Sequence, residues 1–251
     1  MTTRNSLVAT IAAALMAVLL SMTSQPAQAA PIVWSAPQNI TGDSDVDTTG
    51  TLFASANFSG ANQTVNGVTF AAFTYTTGTS SQTVGNITVT GTGLVNSTYS
   101  TTSTPYGSLS TAYKALLGPL LTQTGTSNQL TFSLSNLTVG DQYTIQYWVN
   151  DPRTNGSGRT VRVGTQTLDA NTTDSGGGIG QWVRGVFVAD ATSQNFTAAS
   201  AVGSSSAVSY ANAMQVRVLP VPEPSTMFLA AVGLVCADVV RRSRRRTARA
   251  C

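Results

Sequence analysis

One nine-residue segment constrains the fold of this chain most strongly: residues 142–150, QYTIQYWVN. In an extended chain Tyr143, Ile145, Tyr147 and Val149 point to one side and their neighbours to the other. A helix would need its apolar residues three or four positions apart. The segment therefore predicts a β-strand that buries one face of aromatic and aliphatic side chains.

Shorter segments with the same alternation recur along the chain, separated by turns rich in Gly, Asn, Ser and Thr. In one of them Asn66-Gly67 lies between apolar residues, which is the strongest short-range signal for a hairpin. The other predicted strands lie in Pro31–Ile40, Thr51–Phe58, Gln63–Ala72, Asn86–Thr90, Leu130–Leu134, Arg159–Val163, Thr165–Leu168, Gln181–Ala189 and Ala207–Leu219. This spacing, without an internal repeat, indicates an all-β sandwich. The pattern resembles that of jelly-roll domains.

One segment has helical rather than extended periodicity. Within residues 109–117 the apolar residues Ala112, Tyr113, Leu116 and Leu117 form a stripe at helical spacing, and Gly118-Pro119 follows them. We therefore expect one short helix among the strands.

The composition of residues 30–220 differs from that of the two ends. This region contains no histidine, cysteine or glutamate, and its six basic and eight acidic residues give a net charge of −2, whereas the whole chain carries +3. Nucleic-acid binding by this region is unsupported, because the excess positive charge belongs to the ends. Without disulfides, the region must depend on its hydrophobic core.

The N-terminal residues have the three parts of a secretory signal peptide. Arg4 precedes an apolar run over residues 7–20, and Ala27-Gln28-Ala29 fits the small-residue cleavage pattern. We predict a signal-peptide helix in residues 1–29, cleavage between Ala29 and Ala30, and export through the Sec translocon.

The C-terminal residues combine a short apolar run with a cluster of arginines. Residues 227–240 would span about 21 Å as a helix, which is short for a bilayer core of about 30 Å. Arginine clusters stay on the cytoplasmic side of a membrane. The pattern predicts a short transmembrane helix with the body outside and with a cytoplasmic stop formed by Arg241, Arg242, Arg244, Arg245 and Arg246.

The order of these C-terminal features is specific. Pro222-Glu223-Pro224, then the apolar run, then the arginines resemble a PEP-CTERM sorting signal of exported bacterial proteins. The resemblance implies that Pro222, Glu223 and Pro224 form the motif recognised by a membrane-embedded exosortase. It also implies an inner-membrane precursor and a mature protein that is at the cell surface or extracellular. We therefore divide the chain into a signal peptide (1–29), a β-sandwich domain (30–220) and a sorting signal (221–251).

The strand predicted at residues 142–150 also resembles part of a known kind of domain. Residues 136–151, NLTVGDQYTIQYWVND, are similar to the turn and aromatic strand of galactose-binding and carbohydrate-binding-module jelly rolls. The resemblance implies that the domain binds polysaccharide.

Trp148 is the aromatic residue on the polar face of this strand. An indole ring beside amide and hydroxyl groups suits the apolar face and the hydroxyls of a sugar ring. We predict that polysaccharide is bound by Trp148, Asn150, Asp151, Arg153 and Arg159. The alternative is that a second layer covers Trp148, which would make it structural.

Asp43, Asp45 and Asp47 alternate in a turn and resemble the opening of a calcium loop. An EF-hand requires Gly at the sixth position and Glu at the twelfth, where this chain has Thr48 and Ala54. A structural calcium site of another kind remains an alternative to a solvated turn.

Catalysis is disfavoured by the composition. Without histidine the chain cannot form a Ser-His-Asp triad or an ordinary zinc site. A glycosidase needs two opposed carboxylates, and the candidates Asp151, Asp169 and Asp190 each lie at a strand end or turn. We expect a non-catalytic surface or matrix protein that binds polysaccharide. The alternatives are a purely structural or adhesive surface protein and, less favoured, a secreted glycan hydrolase.

Overall fold

The computed structural model describes residues 30–58, 60–73, 78–102, 105–123, 129–154, 158–201 and 209–220. The predicted signal-peptide helix, the sorting motif, the C-terminal helix and the arginine cluster lie outside these residues. In the part of the chain that is described, no helix is long and apolar enough to cross a membrane.

The described residues form sixteen strands and one α-helix. The first eight strands are β1 (Val33–Trp34), β2 (Gln38–Asn39), β3 (Thr51–Asn57), β4 (Gln63–Val65), β5 (Val68–Ala72), β6 (Ser81–Val84), β7 (Ile87–Thr90) and β8 (Leu94–Thr98). After helix α1 (Thr111–Leu117) come β9 (Pro119–Gln123), β10 (Gln129–Leu134), β11 (Gln142–Val149), β12 (Thr160–Val163), β13 (Gln166–Asp169), β14 (Gln181–Val188), β15 (Gln194–Ser200) and β16 (Ala213–Leu219).

These strands form two large sheets and a two-stranded ribbon. The eight-stranded sheet has the order β1-β14-β11-β16-β3-β5-β4, with β2 also paired to β14. The six-stranded sheet has the order β13-β12-β15-β10-β7-β6, and β8 pairs with β9. The predicted all-β sandwich with one short helix is therefore confirmed.

The core between the two sheets is apolar and aromatic. Tyr143, Ile145, Tyr147 and Val149 of β11 all point into it, as their alternation predicts. The ring of Phe132 in the six-stranded sheet lies 5.3 Å from that of Tyr147 in an edge-to-face arrangement. Burial of such side chains, at about 25 cal/mol per Å² of apolar surface, holds the two sheets together.

Helix α1 covers the opposite face of the eight-stranded sheet. Ser110 caps its N-terminus by accepting a hydrogen bond from the backbone N–H of Tyr113 (3.1 Å). The buried side of the helix, Tyr113, Leu116 and Leu117, packs in a second hydrophobic cluster that also contains Trp148. The helical stripe predicted from the sequence is thus confirmed, and it faces the outer side of β11.

A loop covers the rest of this outer face. Gln146 of β11 accepts a hydrogen bond from the Asp47 backbone N–H (3.0 Å) and another from Gln215 Nε2 (2.7 Å). Arg217 of β16 donates to the carbonyl oxygens of Thr49 (2.8 Å) and Gly50 (2.7 Å). The polar face of β11 is therefore buried, and its polar groups are satisfied by backbone and side-chain groups of the protein.

Four strands have no counterpart in the sequence prediction: β6, β8, β9 and β15. The hairpin at Asn66-Gly67 is confirmed, with positive φ angles of 48° and 75°. Ser, Thr and Asn dominate β6 and β8, so the alternation of apolar residues is weak there. β6 and β8 form because they pair with β7 and β9. A pattern within a few consecutive residues does not reveal such pairing.

Candidate functional site

Trp148 does not present its ring to solvent. Its exposed fraction is 0%, the edge of its ring meets Phe70 at a centroid distance of 5.6 Å, and its Nε1 donates a hydrogen bond to Tyr113 Oη (2.9 Å). The predicted role of Trp148 as a sugar platform is therefore corrected: helix α1 covers the indole and makes it part of the second hydrophobic cluster. Burial raises the pKa of its partner, Tyr113, well above the ordinary value.

Asn150 is also buried, and its side chain is hydrogen-bonded to other groups of the protein. Its Oδ1 accepts hydrogen bonds from Tyr106 Oη (2.8 Å) and the Gly180 N–H (2.8 Å), and its Nδ2 donates to the Leu117 carbonyl (3.0 Å). These bonds tie the end of β11 to helix α1 and to the glycine-rich loop before β14. The predicted sugar contact at Asn150 is therefore corrected to a structural role.

The remaining three predicted residues do come together. Asp151 accepts hydrogen bonds from Arg153 Nε and Nη2 (2.8 Å each) and from Arg159 Nη1 (2.6 Å). The side chain of Asp151 is fully buried, whereas those of Arg153 and Arg159 are 27% and 14% exposed. Asp151 thus lies behind the two guanidinium groups and orients them.

Electrostatics keep this cluster ionised. Burial alone would raise the pKa of Asp151, but hydrogen bonds and positive charge from Arg153 and Arg159 outweigh it and hold the pKa below the ordinary value. The hydrogen bond to Asp151 in turn raises the pKa of Arg153. The cluster contains two cations and one anion, so it carries a net positive charge within a domain of net charge −2.

The two arginines open onto a cavity of about 230 Å³. Its wall combines aromatic, hydroxyl, amide and guanidinium groups, from Ser97, Tyr99, Leu120, Thr122, Gln123, Arg153, Arg159 and Tyr210. Arg153 lies over the ring of Tyr99, 4.0 Å from its centroid, and donates through Nη1 to Tyr99 Oη (2.7 Å). We call this space the Arg159 cavity.

Two residues of this wall each have a buried polar atom without a hydrogen-bond partner among the described residues. The atoms are Arg159 Nε and Thr122 Oγ1. A buried polar group left unpaired costs about 1–3 kcal/mol. A ligand that formed hydrogen bonds with these two atoms would remove this cost, and its binding would be favoured by that amount.

Six of the eight residues that line the Arg159 cavity were not predicted from the sequence. Ser97 lies in β8, Tyr99 directly follows β8, and Leu120 and Thr122 lie in β9. Neither of these two strands was predicted from the sequence. The antiparallel register pairs Ser97 with Leu120 and Val95 with Thr122. The one sequence feature that could have indicated this part of the cavity is Tyr99, an aromatic residue in an otherwise polar segment.

The three aspartates of the predicted calcium loop do not share a centre. Asp45 accepts from the backbone N–H groups of Thr41 (2.7 Å) and Gly42 (3.0 Å), whereas Asp47 forms an ion pair with Arg184 (3.3 Å). Asp43 accepts a long hydrogen bond (3.4 Å) from the Ser110 N–H. Within the described ranges no three acidic, histidine or cysteine residues are grouped to hold a metal.

A second, wider cavity of about 530 Å³ lies beside the N-terminal strand. Trp34 and Phe196 contribute aromatic surface, with ring centroids 5.4 Å apart. Gln194 also lines this cavity, and its Oε1 has no partner among the described residues. No carboxylate lines either of these two cavities in the described part of the chain.

Comparison with solved structures finds two partial likenesses. The first is the crystal structure of the plant receptor-like kinase FER: 14% identity, 66% of this chain, 42% of that chain, and a TM-score of 0.42. The second is a carbohydrate-binding module of the β-sandwich superfamily with promiscuous specificity: 14% identity, 74% of this chain, 99% of that chain, and a TM-score of 0.15. Both TM-scores are below 0.5, and the fold assignment rests on the strand topology.

No curated protein matches this chain. The family model of the PEP-CTERM protein-sorting motif, in contrast, matches residues 220–246. This match confirms that Pro222, Glu223, Pro224 and the arginines that follow resemble a PEP-CTERM sorting signal. The chain therefore carries a PEP-CTERM sorting motif, which marks it as an exosortase substrate that is exported and anchored in the membrane before processing.

Proposed function

We propose that this exosortase-sorted protein is a non-catalytic component of the cell surface or extracellular matrix, and that its β-sandwich binds polysaccharide. The observation that carries the proposal is the Arg159 cavity, whose wall contains the partly exposed Tyr99 and two residues, Arg159 and Thr122, with donors that are unpaired among the described residues. Sugar rings present apolar C–H faces to aromatic side chains and hydroxyl oxygens to such donors.

The size of the cavity limits what enters it. Sites for drug-sized ligands are typically about 300–1,000 Å³, and this cavity is smaller, at about 230 Å³. It suits a single sugar residue of a chain whose other residues remain in solvent. A surface protein that touches a polymer at one residue would hold it weakly at each copy and more firmly through many copies.

The chemistry of the wall supports a binding role rather than hydrolysis. Glycoside hydrolysis generally uses two carboxylates that flank the scissile bond. Asp151 is fully buried behind two arginines, and Asp169 accepts a hydrogen bond from the Asn171 N–H (2.9 Å). Neither of these carboxylates nor Asp190 lines the Arg159 cavity.

Glycan binding by the full chain, purified in mild detergent, tests the proposal on an array of bacterial and plant polysaccharides. The wild-type chain should bind at least one polymer, and Tyr99→Ala should weaken that binding about tenfold, because the aromatic wall is lost. Val139→Ala is the matched control, since Val139 is 58% exposed in the turn at the opposite end of β11. Absence of binding to every polymer would contradict the proposal and favour a purely structural or adhesive surface protein.

A further inference from the structure

We infer that the Arg159 cavity recognises the carboxylate of an acidic sugar residue, so that the preferred polymer is a polyuronate rather than a neutral glycan. The inference rests on the proposed polysaccharide-binding function and specifies its ligand chemistry. It follows from the different use that the protein makes of two neighbouring guanidinium groups.

Arg153 shows how this protein binds a carboxylate. It presents Nε and Nη2, the side edge of its guanidinium group, to the two oxygens of Asp151 at 2.8 Å each. This side-on, bidentate geometry is the strongest common arrangement between arginine and a carboxylate. Arg153 therefore has its acceptor within the protein.

Arg159 lacks an equivalent acceptor on its side edge. It reaches Asp151 through the end atom Nη1 (2.6 Å), and its buried Nε has no hydrogen-bond partner among the described residues. Its guanidinium carbon lies 5.6 Å from the centroid of the Tyr210 ring, which together with Asp151 limits its movement. The group is thus held in place with the donor on its carboxylate-binding edge unused.

The charge around the cavity favours an anion. Two guanidinium groups line the wall, no carboxylate of the described residues lines it, and the buried Asp151 neutralises one of the two charges. A neutral sugar would leave the remaining positive charge unpaired in a partly desolvated site. A uronic acid would pair it, while Thr122 Oγ1 and the partly exposed Tyr99 meet the hydroxyls and the ring.

The experiment compares two forms of one polymer, alginate and carboxyl-reduced alginate, which differ in charge but share a sugar backbone. At low salt, the full chain in mild detergent should bind alginate at least tenfold more tightly than carboxyl-reduced alginate. The reason is that each charge-assisted pair contributes a factor of about ten or more. Arg159→Lys keeps the charge but removes the side edge of the guanidinium group. We therefore expect its affinity to fall about tenfold for alginate and less than twofold for the reduced polymer.

Arg162→Lys is the matched control, because Arg162 is an exposed arginine on β12, the strand that begins directly after Arg159. Equal binding of both polymers by the wild-type chain would overturn the carboxylate inference and leave the proposed function intact, whereas no binding to any polysaccharide would refute the proposed function itself. Unchanged alginate binding by Arg159→Lys would show general charge attraction and would also overturn the inference. Circular dichroism of each variant confirms that it is folded.

Discussion

The two faces of the eight-stranded sheet are both buried, but by different means. The inner face packs against the six-stranded sheet through apolar and aromatic side chains such as Ile145 and Tyr147. The outer face is covered by helix α1 and by the loop at residues 41–50, through directed contacts of Trp148, Gln146 and Arg217.

This contrast shows what alternation in a sequence does and does not reveal. Period-two alternation separates the two faces of a strand, and it identified the inner face of β11 correctly. It does not reveal whether the polar face meets water or another layer. Nondirectional burial stabilises the inner face, whereas the outer face combines the hydrophobic cluster beneath α1 with individual hydrogen bonds of Gln146 and Arg217 that single substitutions can remove.

The largest effect is expected at Trp148. Trp148→Ala removes a fully buried side chain and the donor to Tyr113 Oη, so it should lower the free energy of unfolding by about 4 kcal/mol. Trp148→Phe, which keeps an aromatic ring without the N–H donor, should cost about half as much. Denaturant unfolding of the full chain measures both, and a cost below about 1 kcal/mol for Trp148→Ala would contradict the burial of the indole.

Asp151→Asn should have the next largest effect, and it should depend on pH. Removal of the buried carboxylate leaves Arg153 and Arg159 without their common anion, at a cost of about 3 kcal/mol at neutral pH. Because the folded-state pKa of Asp151 is lowered, its contribution is complete above the ordinary carboxyl pKa of about 3.9 and is lost as the pH falls through the folded-state value.

The difference in stability between wild type and Asp151→Asn should therefore be constant near neutrality and shrink below about pH 4. Unfolding measured over a pH series gives this difference directly. A difference that grew on acidification would mean that Asp151 is protonated in the folded protein, contrary to the ion pairs seen here.

A smaller effect is expected where the loop at residues 41–50 meets the outer face. Arg217→Met should cost about 2 kcal/mol, because the carbonyls of Thr48, Thr49 and Gly50 lose their guanidinium donor. Hydrogen exchange should become faster in this loop and unchanged on the inner face. Arg162→Met, at an exposed position, is the control and should change stability by less than about 0.5 kcal/mol.

The smallest effect concerns calcium. The carboxylates of Asp45 and Asp47 accept or pair with groups of the protein, so we expect EDTA to leave the unfolding temperature unchanged within about 1 °C. A calcium-dependent rise of several degrees would show that the loop over the outer face is held by a metal as well as by Arg217.

The strong local signals of the sequence predicted the fold class well. The alternation in β11, the Asn66-Gly67 hairpin and the stripe of α1 all appear in the structure where they were predicted. Each of these signals involves residues within one turn or one strand, so neighbouring residues are enough to specify them. The weakly apolar strands β6 and β8 were missed, because their pairing partners, rather than their own residues, decide their conformation.

The candidate site could be predicted only in part. Asp151, Arg153 and Arg159 lie within nine residues of one another, and their sequence proximity correctly suggested one cluster. Tyr99 and Thr122 are 29 to 60 positions away from them in the sequence and join them through the ribbon of β8 and β9. The exposure of Trp148 was predicted wrongly, because no pattern in the neighbouring residues shows that α1 packs over its ring.

The sequence by itself determined the alternation that builds the sandwich and the PEP-CTERM motif at residues 220–246, because both are patterns in consecutive residues. The tertiary structure alone decided which polar residues are buried and which line a cavity. It buried Trp148 and Asn150 beneath α1, and it placed Arg159, whose Nε has no hydrogen-bond partner among the described residues, in the same cavity wall as Tyr99. The physical reason is that burial depends on which distant segments pack together, and this depends on the free energy of the whole fold.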